Sequence, residues 1–121
     1  MKNYTTENII NIALTGHAST GKTTLAEAIM CNGGAIHKMG SIKEGTTISD
    51  YREYEIKNQH SISLSLMNLE WLDKKINIID TPGYLDFHGE VKSAMNAADF
   101  AAIVVSATES IDVGTELCWE Y

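Results

Sequence analysis

The sequence has 121 residues, 44% of them hydrophobic, a size and composition that suit one domain with a packed core. Its formal net charge of −7 argues against non-specific nucleic-acid binding by this chain. No charged leader precedes an apolar stretch, and no stretch reaches the roughly 18 apolar residues of a membrane span. Two cysteines far apart in the chain indicate reduced thiols, so a cytoplasmic domain without membrane contact is expected.

The first half of the chain predicts a strand, a helix and a long connection. Ile9 to Thr15 is short, rich in isoleucine and followed by glycine, which is typical of a buried strand. A helix is predicted from Lys22 to the glycines at 33 and 34, and residues 35–60 then show no clean period. A connection that long is functional or mobile in most compact domains. The helix's predicted apolar face consists of Leu25, Ile29 and Met30, and the connection's predicted solvated acidic face consists of Glu44, Asp50, Glu53 and Glu55.

The middle of the chain predicts two strands. From Ser61 to Leu66, serines alternate with apolar residues, which indicates a strand with one buried face formed by the apolar side chains. Residues 72–75 form a predicted turn, and Ile76 to Ile79 returns as a second strand that ends at Asp80.

The last third adds two helices and one strand. Asp86 to Ala98 suits a helix with an apolar side, and a new helix is predicted from Thr115 onward. Between them, the run from Ala101 to Val105 is apolar throughout, which predicts a strand covered on both faces. Strands that alternate with helices indicate an α/β sheet with helices on its faces.

Residues 16–23 read GHASTGKT, the G-x-x-x-x-G-K-[ST] pattern of a phosphate-binding loop. Its glycines allow a tight turn whose backbone N–H groups point at phosphate oxygens. Lys22 is expected to reach the β- and γ-phosphates, and the hydroxyl of Thr23 to ligate Mg²⁺. The helix that begins at Lys22 directs its positive dipole end at the same anion. The predicted nucleotide contacts here are Gly16, His17, Ala18, Ser19, Thr20, Gly21, Lys22, Thr23 and Thr24.

A second element fits the first. Asp80-Thr81-Pro82-Gly83 follows an apolar strand, where a carboxylate can hold Mg²⁺, usually through water. The N–H of Gly83 can meet the γ-phosphate. We therefore expect Asp80 and Gly83 to complete the nucleotide site.

Four stretches resemble the start of the GTP-binding domain of elongation factor G, and most of all its elongation-factor-G-like branch: GHASTGKTTL, MGSIKEGTTISDY, KINIIDTPGYLDFHGEVKSAM and ADFAAIVVSATESIDVGTE. The resemblance runs from Ile9 to Tyr121. It implies a P-loop NTPase fold, a mostly parallel sheet with helices on both faces, present here as an incomplete domain. Residues 1–121 would be the N-terminal portion of that domain, with a first switch at about 35–60 and a second at about 80–90.

The resemblance also implies cofactors and partners. GTP or GDP with Mg²⁺ would be bound, the ribosome would be the partner of the full-length protein, and further domains would follow. No sequence-specific nucleic acid is expected. The N-K-x-D motif through which GTPases read guanine does not occur in this sequence, so the family resemblance alone favours GTP over ATP.

Three family positions carry substitutions here. Ser61 matches a threonine that reaches Mg²⁺ in the family, which gives an expected metal set of Thr23, Ser61 and Asp80, although Ser61 could also be a solvent-facing strand serine. Tyr84 replaces a histidine that orients the attacking water; a phenol is a poor base but can position water by hydrogen bonding. Ser19 replaces an aspartate associated with a monovalent cation. The expected catalytic residues are Lys22, Gly83 and Tyr84.

Three readings of function remain open, and the substitutions bear on the first two. The first is a GTP-hydrolysing translation factor of the elongation-factor-G-like type. The second is a ribosome-associated switch that binds GTP but hydrolyses it slowly or not at all, because Tyr84 replaces the histidine. An ATP-using P-loop protein is a third.

One further expectation concerns assembly. In the family, the strand that corresponds to residues 100–107 lies inside the sheet, paired on its far side with a strand encoded after residue 121. The isolated chain is therefore expected to self-associate through that edge.

Overall fold

The structure is a computed structural model that describes residues 2–121. Short 3₁₀ turns at Thr6–Asn8 and Leu85–Phe87 precede the first strand and the third α-helix. Within the described residues, no helix is both long and apolar enough to cross a bilayer. The elements in chain order are β1 (Ile9–Thr15), α1 (Lys22–Asn32), α2 (Glu53–Asn58), β2 (Ser65–Trp71), β3 (Lys74–Asp80), α3 (His88–Ala97), β4 (Phe100–Ile103) and α4 (Val113–Glu120).

The strands form one mixed sheet in the order β2-β3-β1-β4. β1 runs parallel to both β3 and β4, and β2 pairs antiparallel with β3 through a tight hairpin. Leu72 and Asp73 at that hairpin have φ angles of 48° and 59°, as the turns that match strand twist require. Because the carboxyl ends of parallel strands meet at one edge of a sheet, the residues after β1 and β3 lie together there.

Helices cover both faces of the sheet. Leu14 of β1 and Ile78 of β3 pack with Met30 of α1 on one face. The next residue along each strand points the other way, because side chains alternate across a strand. Accordingly, Ala13 and Ile79 pack with α3 on the opposite face, and its Ala94 is the buried contact there. The α/β architecture expected from the sequence is confirmed.

The strand predicted from Ser61 to Leu66 was placed too early and with the wrong face buried. β2 begins at Ser65, and Leu66 is 66% exposed. Ser65, Met67 and Leu69 are buried instead. The hydroxyl of Ser65 can be buried because it donates a 2.6 Å hydrogen bond to the backbone carbonyl of Ser49.

Two further expectations about apolar faces failed, one in part and one as a whole; of the face predicted for α1, Met30 is buried and Ile29 packs against the core, but Leu25 does not. In α1, Leu25 is 39% exposed, and Ala26 with Met30 provides the buried side. β4 is shorter than the apolar run that predicted it, and it lies at the edge of the sheet. Phe100 is 65% exposed, so the strand is not covered on both faces.

The long connection, residues 35–60, is anchored by buried carboxylates. Glu27 of α1 is 1% exposed; its two oxygens accept hydrogen bonds from the backbone N–H groups of Gly40 (2.8 Å) and Ile48 (2.6 Å). Asp50 and Glu55, expected on a solvated acidic face, are 4% and 1% exposed. That expectation was wrong for both, because each carboxylate accepts hydrogen bonds from groups inside the fold.

Candidate nucleotide-binding site

The loop of residues 16–23 joins β1 to α1 at the carboxyl edge of the sheet. Gly16 has a φ of 131° and lies against the backbone of Val104, where a Cβ would collide with the Val104 carbonyl oxygen. Lys22, 6% exposed, donates from Nζ to the carbonyl oxygen of His17 at 2.6 Å. Burial lowers the pKa of Lys22, and the charge of Asp80 opposes that shift. The side chain of Lys22 thus bends back over its own loop, where its ammonium group could contact a bound anion.

The segment after β3 crosses directly over this loop. A Cβ at Gly83 would lie 2.5 Å from the backbone nitrogen of Ala18 and 2.6 Å from Nζ of Lys22. No side chain fits in that space without displacing the loop. The two motifs recognised in the sequence therefore meet in the fold.

A buried hydroxyl–carboxylate pair links the same two segments. Oγ1 of Thr23 donates a 2.6 Å hydrogen bond to Oδ2 of Asp80, and it lies 3.5 Å from Oγ of Ser61. Burial raises the pKa of Asp80 to about 6, against the opposing effect of the Thr23 hydrogen bond. The other oxygen of Asp80 is buried without a partner. The three residues expected to hold Mg²⁺ thus lie side by side.

Asp50 is a second carboxylate at this point, which the sequence did not single out as a site residue. Its Oδ1 accepts a 2.7 Å hydrogen bond from Ser61, and its Oδ2 is buried without a partner. Burial raises the pKa of Asp50, and the charge of Asp50 in turn contributes to the raised pKa of Asp80. The sequence signal that could have identified Asp50 as a site residue was its place in the MGSIKEGTTISDY stretch.

The chemistry of these groups fits a Mg²⁺ ion. Two orphaned carboxylate oxygens and two hydroxyls are ligands that Mg²⁺ prefers, and a dication would relieve the repulsion between the carboxylates. Within residues 2–121, no three His, Cys, Asp or Glu side chains are arranged to hold a metal by themselves. Mg²⁺ in such sites takes its remaining ligands from phosphates and water.

The loop, the connection and the segment after β3 enclose a cleft of about 320 Å³. Tyr84, 43% exposed, lies at this cleft, and its ring contacts that of His60 edge-on with 4.8 Å between ring centroids. His60 is a cleft residue that the sequence did not mark as functional. The residues lining the cleft include Ala18, Ser19, Gly21, Lys22, Thr23, Thr24, Ser61, Gly83 and Tyr84 from the expected set, and Ile42, Lys43, Asp50, Gln59, His60 and Thr81 in addition.

Four expected site residues do not line the cleft. Gly16 and Asp80 lie beneath it. Gly16 allows the tight turn of the loop, and Asp80 accepts a hydrogen bond from Thr23. Thr20 donates to the carbonyl oxygen of His17 at 2.9 Å, which braces the loop internally. The His17 side chain points toward α4, with Nδ1 3.5 Å from the carboxylate of Asp112.

The fold and this geometry define a class of protein. A glycine-rich loop between a strand and a helix, faced by a carboxylate at the end of the neighbouring parallel strand, makes a P-loop nucleotide-binding domain. The sequence model of the elongation factor Tu GTP binding domain matches residues 7–121. The chain belongs to this family of GTP-binding domains.

Individual relatives agree with this assignment. An elongation factor G-like protein of Mycobacterium tuberculosis is 41% identical over 110 residues, which cover 91% of this chain and 15% of that protein. Tetracycline resistance protein TetO of Campylobacter jejuni is 39% identical over 109 residues, which cover 90% and 17%. A crystal structure from Thermus thermophilus has a TM-score of 0.89 and 39% identity, covering 93% of this chain and 17% of that one. The resemblance to elongation-factor-G-like proteins is confirmed, and the chain spans 15–17% of these relatives' lengths.

Proposed function

We propose that the full-length protein carrying this chain binds GTP with Mg²⁺, hydrolyses it to GDP and phosphate, and acts on the ribosome as a cytoplasmic translation factor. One observation carries the proposal: Lys22, Thr23 and Gly83 line a single cleft, and Asp80 bonds to Thr23 from beneath it. Membership in the elongation factor Tu GTP binding domain family supports GTP as the nucleotide.

Each residue has a defined task in this proposal. Lys22 exchanges its bond to the His17 carbonyl for the β- and γ-phosphate oxygens, and the N–H groups of the loop bind the same anion. The N–H of Gly83 meets the γ-phosphate. Hydroxyls and carboxylates hold Mg²⁺, which when bound neutralises charge on the phosphates. The proposed metal-holding residues are Thr23, Ser61 and Asp80, with Asp50 added from the structure.

A second candidate function is a ribosome-associated switch that binds GTP and hydrolyses it slowly or not at all. The observation that favours it is that Tyr84 lines the cleft, with a phenol in place of the histidine that orients water in the family. A phenol is a weak hydrogen-bond acceptor and a poor base. The two candidate functions use the same nucleotide-binding residues and differ only in the rate of GTP hydrolysis.

Two measurements on the full-length protein test the proposal. Competition of GTP and ATP against a fluorescent GDP analogue should show a preference for guanine nucleotides. Single-turnover hydrolysis of GTP, with and without ribosomes, should show a rate that ribosomes increase. Guanine binding with no turnover under either condition would favour the switch, and an absence of nucleotide binding would refute both candidates.

A further inference from the structure

His60 and Tyr84 form a pair of rings at the cleft. Their centroids are 4.8 Å apart and their planes make an angle of 61°. Both residues line the same cleft as Lys22, and His60 is half-buried. In the proposed function the terminal phosphate meets Gly83 and Lys22, and Tyr84 directly follows Gly83, which lies against the loop. The imidazole of His60 thus lines the cleft beside the ring of Tyr84.

The hydrogen bonding of His60 fixes which of its nitrogens can accept. Nδ1 of His60 lies 3.0 Å from the carbonyl oxygen of Asn58. A carbonyl oxygen only accepts hydrogen bonds, so Nδ1 carries the proton in this contact. In the neutral ring the other nitrogen, Nε2, is then a hydrogen-bond acceptor. Such an acceptor can orient a water molecule.

The backbone around His60 is held firmly. The N–H groups of Ile62 and Ser63 donate to one oxygen of the buried Glu55, at 3.0 and 3.1 Å. The adjacent Ser61 is tied to Asp50 by a 2.7 Å hydrogen bond, and its Oγ lies 3.5 Å from Oγ1 of Thr23. The ring is therefore positioned relative to the proposed metal site, and such preorganisation is what water orientation requires.

We propose that His60 orients the attacking water in GTP hydrolysis, with Tyr84 supporting its ring, an inference that rests on the proposed function. The water oxygen bonds to the γ-phosphorus while the bond from that phosphorus to the β–γ bridging oxygen breaks. The bridging oxygen keeps the electron pair and leaves as GDP. Both water protons end on the released phosphate, one on the new hydroxyl and one on a phosphate oxygen. Nε2 of His60 accepts a hydrogen bond from the water and keeps no proton.

Two substitutions separate the acceptor from the ring. His60→Phe keeps a ring against Tyr84 but removes the acceptor, whereas His60→Gln keeps an acceptor on a non-aromatic side chain. His37→Phe, at an exposed histidine that does not line the cleft, is the matched control. Each full-length variant is assayed for single-turnover GTP hydrolysis, for binding of a fluorescent GDP analogue, and for the gain in that binding when aluminium fluoride is added as a mimic of the transferring phosphoryl group.

We expect His60→Phe to reduce the hydrolysis rate by about 100-fold, the usual scale of such effects. The same variant should bind GDP normally and lose the gain from aluminium fluoride. His60→Gln should retain a rate within about tenfold of the unsubstituted protein, and His37→Phe should match it. If His60→Phe no longer binds GDP, His60→Gln decides: GDP binding with no hydrolysis would overturn the inference, and retained hydrolysis would support it.

The outcomes distinguish this inference from the proposed function. If the unsubstituted protein hydrolyses GTP and His60→Phe does so at the same rate, the role of His60 is wrong and the proposed function stands. If the unsubstituted protein binds no GTP, or binds it without turnover, hydrolysis itself is refuted and the inference falls with it.

Discussion

Oγ1 of Thr23 lies 2.6 Å from Oδ2 of Asp80, a hydrogen bond that joins residues 57 positions apart in the chain. It closes the contact between the loop that follows β1 and the segment that follows β3. Both partners are buried, at 7% and 1% exposure. The buried carboxylate of Asp80 accepts one hydrogen bond from a hydroxyl, and its other oxygen has no partner, which makes it a favourable ligand for a cation.

Substituting Lys22 tests the phosphate contact. Lys22→Ala should abolish GTP binding by the full-length protein, because it removes the charge-assisted hydrogen bonds to the β- and γ-phosphates. Equilibrium titration with a fluorescent GTP analogue measures the effect. Lys57→Ala, at an exposed lysine of α2, is the control and should leave the affinity unchanged. Equal GTP affinities for the two variants would show that Lys22 does not contact the phosphates.

Gly83 and Gly89 offer a matched pair for testing the close approach. Gly83→Ala should strongly weaken GTP binding, because its Cβ would lie 2.5 Å from the Ala18 nitrogen and displace the loop. Gly89→Ala meets nothing within 4 Å and lies in the first turn of α3, so it should preserve binding and stabilise the helix by less than the roughly 0.5–1 kcal/mol of an interior position. Titration and thermal denaturation measure both effects. Normal binding by Gly83→Ala would contradict the geometry.

Asp80→Asn should stabilise the nucleotide-free, metal-free protein at neutral pH. Burial raises the pKa of Asp80 to about 6, so the folded state binds this proton more tightly than the unfolded state does. The ionised carboxylate therefore costs stability above pH 6, and that cost declines as the pH falls below 6 and is gone only below the ordinary pKa of 3.8. We expect a melting temperature a few degrees higher for the variant at pH 7, the shift that about 1 kcal/mol produces, and a smaller difference at pH 5.

The same variant should weaken Mg²⁺-dependent GTP affinity, because an amide cannot supply the anionic ligand. Thermal melts in EDTA and titrations in Mg²⁺ give the two readouts. Asp86→Asn, at an exposed aspartate, is the control for both. A lower melting temperature for Asp80→Asn at pH 7 would show that the carboxylate stabilises the metal-free fold instead.

Glu27→Gln should loosen residues 35–60. Both oxygens of Glu27 accept backbone N–H groups, those of Gly40 and Ile48. Glutamine turns one acceptor into a donor, which leaves a buried N–H facing another N–H. Hydrogen exchange should accelerate at Gly40 and Ile48 relative to the unsubstituted protein. Glu53→Gln, on the exposed side of α2, should not change it, and unchanged exchange in Glu27→Gln would show that the anchor is dispensable.

The 121-residue chain produced by itself should self-associate through β4. That strand is at the sheet edge, and its exposed positions are apolar, with no charge or proline to block pairing. Sedimentation velocity should show species larger than a monomer. Ala102→Lys, which places a charge on the edge strand, should restore the monomer, whereas Asn96→Lys on the exposed side of α3 should not. A monomeric unsubstituted chain would contradict the prediction.

The sequence by itself determined the elements whose signals are local. The strand Ile9–Thr15 and the helix Lys22–Asn32 have the predicted bounds, because apolar composition and flanking glycines specify them. The phosphate-loop pattern and the strand-terminal aspartate also identified two segments that meet in the fold. Spacing and residue type were sufficient there, since the chemistry of phosphate binding resides in consecutive residues.

Only the tertiary structure decided which polar groups are buried. Ser65 faces inward and Leu66 outward because the Ser65 hydroxyl finds the Ser49 carbonyl, a partner 16 residues away that no local period reveals. The same reason applies to Asp50 and Glu55, whose charges suggested solvent but whose oxygens accept hydrogen bonds from Ser61 and Ile62, just after the connection. The contact between His60 and Tyr84 also depends on how that connection folds back over the loop. Burial of a polar side chain is set by partners distant in sequence, and so it becomes visible only when the chain is folded.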